Sequence, residues 1–167
     1  MGAGKTSIGR VLAARLQRRF VDLDRLIEEQ AGADISLIFE MEGESGFRRR
    51  ESAMLATQLI GDGAIIACGG GIILDPDNRA RLRERAFVIY LEASVDEQLT
   101  RLCRDRSRPL LQTDDRRTRL QALAAARDPL YAQVADMTFH AGNVGPTLAA
   151  QELVKRLDPD LHVGHDE

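Results

Sequence analysis

At 167 residues the chain has the length of a single domain, enough to bury about two-thirds of the surface its unfolded form exposes without a disulfide framework. Its 23 basic and 26 acidic side chains give a formal net charge of −3, which argues against general nucleic-acid or anionic-membrane binding. The longest mostly apolar stretch, Ala64 to Leu74, is broken by glycines and falls short of the ~20 residues that span a bilayer; with no apolar leader and two isolated cysteines, Cys68 and Cys103, a cytoplasmic location is expected.

The chain begins Met1, Gly2, Ala3, Gly4, Lys5, Thr6, the second half of a phosphate-binding loop of pattern GxxxxGK[S/T]. Such a loop curls backbone N–H groups around an anion at the head of a helix. Gly2 and Gly4 suit the curl, Lys5 is placed to reach outer phosphates, and the Thr6 hydroxyl suits Mg²⁺. Ile8, Val11, Leu12 and Leu16 then repeat along one helical face. Taken alone, the same residues also fit a glycine-rich helix start. Met1, Gly2 and Thr6 satisfy an N-myristoylation pattern as well, but phosphate binding explains more of them.

Four short apolar runs read as strands: Phe20 to Leu23, Ala64 to Cys68, Phe87 to Leu91, and Met137 to His140. Helical patterns alternate with them, which predicts a parallel sheet with right-handed crossovers. Between the first two strands lie helices over about Asp24 to Ala31, Ile35 to Glu42 and Glu44 to Ile60, with Asp34 and Ser36 as candidate caps. Pro76 opens a helix running to about Arg85, and Ser94 with Glu97 forms a capping box for one reaching about Arg104. From Arg104 to Arg117 charge is dense and periodicity weak, as in an exposed loop. A helix over about Arg117 to Arg127 follows, Pro129 opens another, and a last runs from Pro146 to Leu157. One domain over 1–157, with a lid at about 104–117 and a disordered tail over 158–167 carrying His162 and His165, is the expected organisation.

Asp22 and Asp24 close the first strand, where ligands of open parallel sheets bind. One carboxylate suits Mg²⁺ and the other a substrate hydroxyl, although acids at a helix start also complement its dipole. Arg48 lies three residues before Glu51, which can hold its guanidinium as a planar fork for a carboxylate; the plainer alternative is a surface ion pair. Gly69, Gly70 and Gly71 directly after a strand imply close approach of a ligand to backbone. Arg108, beside Pro109, suits an arginine that closes over phosphates, and Arg127 suits a second carboxylate clamp.

This ordered set resembles the shikimate kinase family, from Gly2 to about Leu157. The resemblance rests on the GAGKT loop, the Phe20 to Asp24 strand end, Phe47 and Arg48 with Glu51, the triple glycine, Arg108 to Leu111, and Arg127 to Tyr131. It implies a three-layer α/β fold of P-loop kinase type, with ATP and shikimate as small-molecule substrates and 3-phosphoshikimate as product, on the way to chorismate and the aromatic amino acids. By the same resemblance Gly2, Ala3, Gly4, Lys5 and Thr6 serve ATP, Thr6 and Asp22 hold Mg²⁺, and Asp24 binds the substrate hydroxyls as the base. Arg48 and Arg127 grip the carboxylate, Gly70 touches substrate through its backbone, and Arg108 closes on the phosphates. The family also implies a monomer.

Two features depart from the family pattern. The segment His140 to Pro146 has Val144 where a basic residue is common, which leaves adenine contact to backbone and to lid residues such as Arg104. The family's central strand and first loop glycine have no counterpart, so Met1 is expected to be an internal methionine of a longer polypeptide. Loss of that strand leaves inner N–H and C=O groups unpaired at about 1–3 kcal/mol each. The alternatives to this family are a gluconate-type kinase and, in another class, a non-catalytic remnant acting as a binding module.

Overall fold

The computed structural model describes residues 2–61, 63–102 and 115–157. Its elements in order are α1 (Lys5–Arg15), β1 (Phe20–Asp22), α2 (Leu23–Ala31), α3 (Ile35–Gln58), β2 (Ile65–Ala67) and a 3₁₀ turn (Ile72–Leu74). There follow α4 (Pro76–Arg85), β3 (Ile89–Glu92), α5 (Val95–Leu102), α6 (Arg116–Val134), β4 (Met137–His140) and α7 (Pro146–Leu157). Each strand stands within two residues of the apolar run that predicts it.

Local chemistry sets most boundaries. The Asp34 carboxylate accepts the Leu37 N–H at 2.8 Å and starts α3, while Ser36 lies inside the helix. Asp75 accepts from Asp77 N–H at 2.8 Å ahead of Pro76 in α4. At α5 the capping box is reciprocal: Glu97 accepts the Ser94 N–H at 2.7 Å and returns its own N–H to the Ser94 hydroxyl at 3.3 Å. α3 breaks at Gly43, with φ 67° and ψ 178°, so the two helices expected there meet at a kink that a residue with a side chain strongly resists.

The break expected before Pro129 is absent, because α6 runs through it to Val134. A proline inside a helix forfeits one hydrogen bond and costs about 3 kcal/mol. Packing on both sides outweighs that cost. Before the proline, Leu120 is buried with Leu102 and Leu123, and beyond it Leu130, Tyr131 and Val134 join the largest core cluster. Arg116 and Arg117 therefore belong to a helix, not to the loop expected to end at Arg117.

The strands pair in parallel as two separate pairs. β1 lies on β2, with Phe20 opposite Ile65 and Asp22 opposite Ala67, and β3 lies on β4, with Ile89 opposite Met137 and Glu92 opposite His140. Among the described residues β2 and β3 each pair on one side only. Between them runs a cavity of about 1070 Å³, lined by Ile65 and Ala67 on one wall, Ile89 and Leu91 on the other, and reaching Lys5 and Arg127. The parallel sheet of the expected fold is thus divided at its middle. Apolar strand residues that a central sheet buries fully, such as Ile66 and Leu91, stay only half-buried here.

Helices cover both faces. α1 and α7 enclose Ile8, Leu12, Phe139, Ala149, Ala150 and Leu153. Val21, Leu23, Leu55, Ile72, Ile73, Leu82 and Val134 form the other core. A smaller cluster of Ile27, Ile38 and Phe47 ties α2 to both limbs of α3 and fixes the helix that carries Arg48. No described helix is long and apolar enough to cross a membrane.

Candidate active site

The strand ends and the glycine-rich start meet at one edge of the fold. Gly2 and Gly4 have φ of 65° and 86°, the left-handed region that glycine adopts without steric cost, and Gly4 is the residue from which α1 begins. Its carbonyl accepts the Ile8 N–H at 2.9 Å, so the loop passes directly into the helix. Ala3 is buried, and Lys5 and Thr6 occupy the first turn, the end of a helix whose dipole favours an anion.

Asp22 precedes α2 but makes no capping hydrogen bond. Its carboxylate instead accepts the Thr6 hydroxyl at 2.7 Å. The two residues matched to a metal therefore touch across the end of β1. Hydroxyl and carboxylate are hard oxygen donors, which suits Mg²⁺, an ion that takes few protein ligands and completes its shell with water and phosphate. Asp24 sits in the first turn of α2, where it also complements the helix dipole.

The triple glycine is where the remaining side chains converge. A Cβ placed on Gly69 would lie 2.5 Å from Glu51 Oε1 and 3.1 Å from Asp24 Oδ1. One on Gly70 would lie 2.9 Å from the Tyr131 hydroxyl and 3.6 Å from an Arg127 nitrogen, and one on Gly71 would overlap the Arg48 guanidinium. Any side chain in this run displaces a charged or polar group. That answers why a costly glycine run stands after a strand. It also brings Asp24, Arg48, Gly70 and Arg127 together from four separate parts of the chain. Burial pushes the thiol of Cys68, just before the run, up to about 12, which disfavours the thiolate there.

Charge at this floor is unevenly balanced. Arg48 donates to Glu51 at 2.6 Å and to Glu44 at 3.0 Å, and its guanidinium lies 5.2 Å from the Phe47 ring centre. Burial works against its charge, but the two carboxylates prevail and hold its pKa above the usual arginine value. Arg49 is exposed and Arg50 pairs with Glu42, so one arginine of the three faces this floor. Glu51 is 1% exposed, its Oε1 has no hydrogen-bond partner among the described residues, and burial raises its pKa to about 7 despite Arg48. Arg127 is 6% exposed, and among the described residues no carboxylate forms a salt bridge with it. Burial, together with repulsion from Arg48, lowers its pKa. A buried guanidinium in that state favours an incoming anion.

Several contacts have no signal in the sequence pattern. Arg101 donates to the carbonyl of Gly2 at 3.1 Å and to that of Gly142, joining the glycine-rich start to the segment after β4 where adenine contact is expected. Tyr131 donates to the Gly70 carbonyl at 2.6 Å. Each contact spans more than sixty residues or depends on a backbone carbonyl, which no residue type reports. Arg104, Arg108 and Cys103, most of the expected lid, and the tail with His162 and His165 lie outside the described residues.

A family model described as shikimate kinase matches residues 1–158. A shikimate kinase of Xanthomonas axonopodis pv. citri is 52% identical over 157 residues, covering 94% of this chain and 87% of that one. One of Vibrio vulnificus is 46% identical over 158 residues, covering 95% and 92%. Among solved structures, the shikimate kinase from Acinetobacter baumannii in complex with shikimate matches with a TM-score of 0.92 at 41% identity, over 98% of this chain and 91% of that one. The shikimate kinase from Bacteroides thetaiotaomicron matches with a TM-score of 0.85 at 29% identity, over 94% and 93%.

Proposed function

The chain belongs to the shikimate kinase family, and we propose the following division of labour among its residues for ATP-dependent phosphorylation of shikimate to 3-phosphoshikimate, a step toward chorismate. The observation that carries this reading is Arg127, a buried guanidinium facing Gly70 in the cavity that Lys5 also lines. Lys5 and Arg127 border one space, as a phosphate donor and a carboxylate anchor for one reaction would need to.

Phosphoryl transfer asks the protein for positioning and charge neutralisation more than for covalent chemistry. Backbone N–H groups of Gly2, Ala3 and Gly4 cradle the phosphates, and Lys5 neutralises charge on the outer ones. Thr6 and Asp22 would hold Mg²⁺, which when bound would offset phosphate charge. At the other end Arg48 and Arg127 grip the shikimate carboxylate, a planar fork matched to two oxygens. The Gly70 backbone borders the ring. Asp24 accepts a hydrogen bond from the 3-hydroxyl and takes its proton as the oxygen attacks the γ-phosphorus, releasing ADP. Arg108 closes over the phosphates and stabilises the spreading charge. We also propose a monomer, as the family resemblance implies, in the cytoplasm, a reducing compartment that two isolated cysteines fit.

An ATP-coupled assay across shikimate, gluconate and nucleoside monophosphates tests the reading. Turnover of shikimate alone supports it, and turnover of gluconate without shikimate refutes it.

A further inference from the structure

The carbonyls of the triple glycine are each accounted for, but not alike. Gly69 O accepts the Ile72 N–H at 3.2 Å and Gly71 O accepts the Leu74 N–H at 3.0 Å, both local bonds at the entry to the 3₁₀ turn. Gly70 O accepts instead from the Tyr131 hydroxyl at 2.6 Å, a side chain 61 residues away on α6. The ring that carries it stacks on Tyr90 of β3, with centroids 4.3 Å apart and planes 16° from parallel; the Tyr90 hydroxyl points elsewhere and donates to Asp128 at 3.1 Å.

Arg127 and Tyr131 are four residues apart on α6 and so share one face. The guanidinium and the hydroxyl both border Gly70, at 3.6 and 2.9 Å from the position its Cβ would take. A trans peptide is planar, so holding the Gly70 carbonyl also fixes the Gly71 N–H in the opposite direction. Unheld, a glycine–glycine peptide has wide rotational freedom.

We propose that Tyr131 is a positioning residue for substrate binding: its hydroxyl locks the Gly70–Gly71 peptide against α6, so that this backbone and the Arg127 guanidinium meet the substrate carboxylate as one rigid clamp. The proposal rests on the reading of Arg127 and Gly70 as the shikimate end of the site. Tyr131 bonds to the Gly70 backbone and is not among the residues assigned to the phosphates or the reacting hydroxyl, so its effect falls on the grip of shikimate in ground and transition states alike. That appears in KM and not in kcat.

The test is steady-state kinetics on Tyr131→Phe, which removes the hydroxyl and keeps the ring on Tyr90. Expected is a rise in shikimate KM of about fivefold, the order for one lost hydrogen bond, with kcat and ATP KM within twofold of the parent. Tyr90→Phe, which loses only the Asp128 bond, serves as the control for general loosening and leaves shikimate KM unchanged. An unchanged shikimate KM in Tyr131→Phe overturns the proposal while leaving the shikimate reading intact. So does an equal rise in both KM values, or an equal effect from Tyr90→Phe. A parent enzyme that does not turn over shikimate overturns both.

Discussion

The Thr6 hydroxyl donates a 2.7 Å hydrogen bond to the Asp22 carboxylate, joining the first turn of α1 to the end of β1. Neither group is used for capping, and the pair lies beside the phosphate loop. Thr6→Val and Asp22→Asn are therefore expected to raise the Mg²⁺ concentration for half-maximal activity by on the order of tenfold or more, the scale of a lost metal ligand or its support. A Mg²⁺ titration at saturating ATP and shikimate measures this. An unchanged midpoint in both variants removes the pair from the metal site.

Arg127 and Arg48 differ in how they are balanced, and their variants should differ accordingly. Arg127 has no salt bridge among the described residues, so Arg127→Met removes a buried charge without stranding another. Shikimate affinity is expected to fall by on the order of 10²-fold, for about 2–5 kcal/mol of lost charged contact, with thermal stability unchanged or higher. Arg48→Ala weakens shikimate binding far more than ATP binding too, but it strands Glu51 and lowers stability at pH 8. Calorimetric titration with shikimate, set beside thermal melting, separates the two. Near-normal shikimate affinity in either variant takes that residue out of the clamp.

Glu51 should make stability depend on pH. Burial raises its folded pKa to about 7 against a reference of 4.5. Between those values the folded protein holds a proton that the unfolded chain has released, so stability falls as pH rises through the window. The Glu51 contribution is complete below about pH 4.5 and lost above about 7, amounting to about 3 kcal/mol. Denaturant melts of Glu51→Gln across pH 4.5 to 8 should be flatter than the parent by this amount. Parallel curves contradict the assignment.

Gly71→Ala isolates the steric role of the glycine run. The new methyl overlaps the guanidinium end of Arg48, which can move aside only by loosening its bonds to Glu51 and Glu44, so some stability is lost at pH 8, as in Arg48→Ala. The displaced fork no longer matches a carboxylate, and shikimate KM is expected to rise about tenfold or more while ATP KM holds. Unaltered shikimate kinetics would show that Arg48 does not need its observed position.

Much of this arrangement is written in local sequence. Strand positions follow from short β-branched runs, and the Asp34, Asp75 and Ser94 caps follow from side chains whose partners lie two or three residues on. Spacing also marks Arg48 with Glu51, since a helix brings residues three apart together. Long-range balance escapes such reading. Pro129 looks like a helix start because the residues packed on both sides of it come from other elements. Tyr131 and Arg101 do their work on backbone carbonyls 61 and 99 residues away, where residue type leaves no trace. That Arg48 is neutralised and Arg127 is not depends on which carboxylates reach each guanidinium, and the fold alone decides that.

The most direct test of the account is product formation from shikimate and ATP with the parent protein and with Asp24→Asn. The account predicts one phosphate transferred to the 3-hydroxyl per ADP released, no turnover of gluconate, and a loss in kcat of on the order of 10²-fold or more in Asp24→Asn with shikimate KM less affected. Phosphorylation of gluconate in place of shikimate, or full turnover in Asp24→Asn, would contradict it.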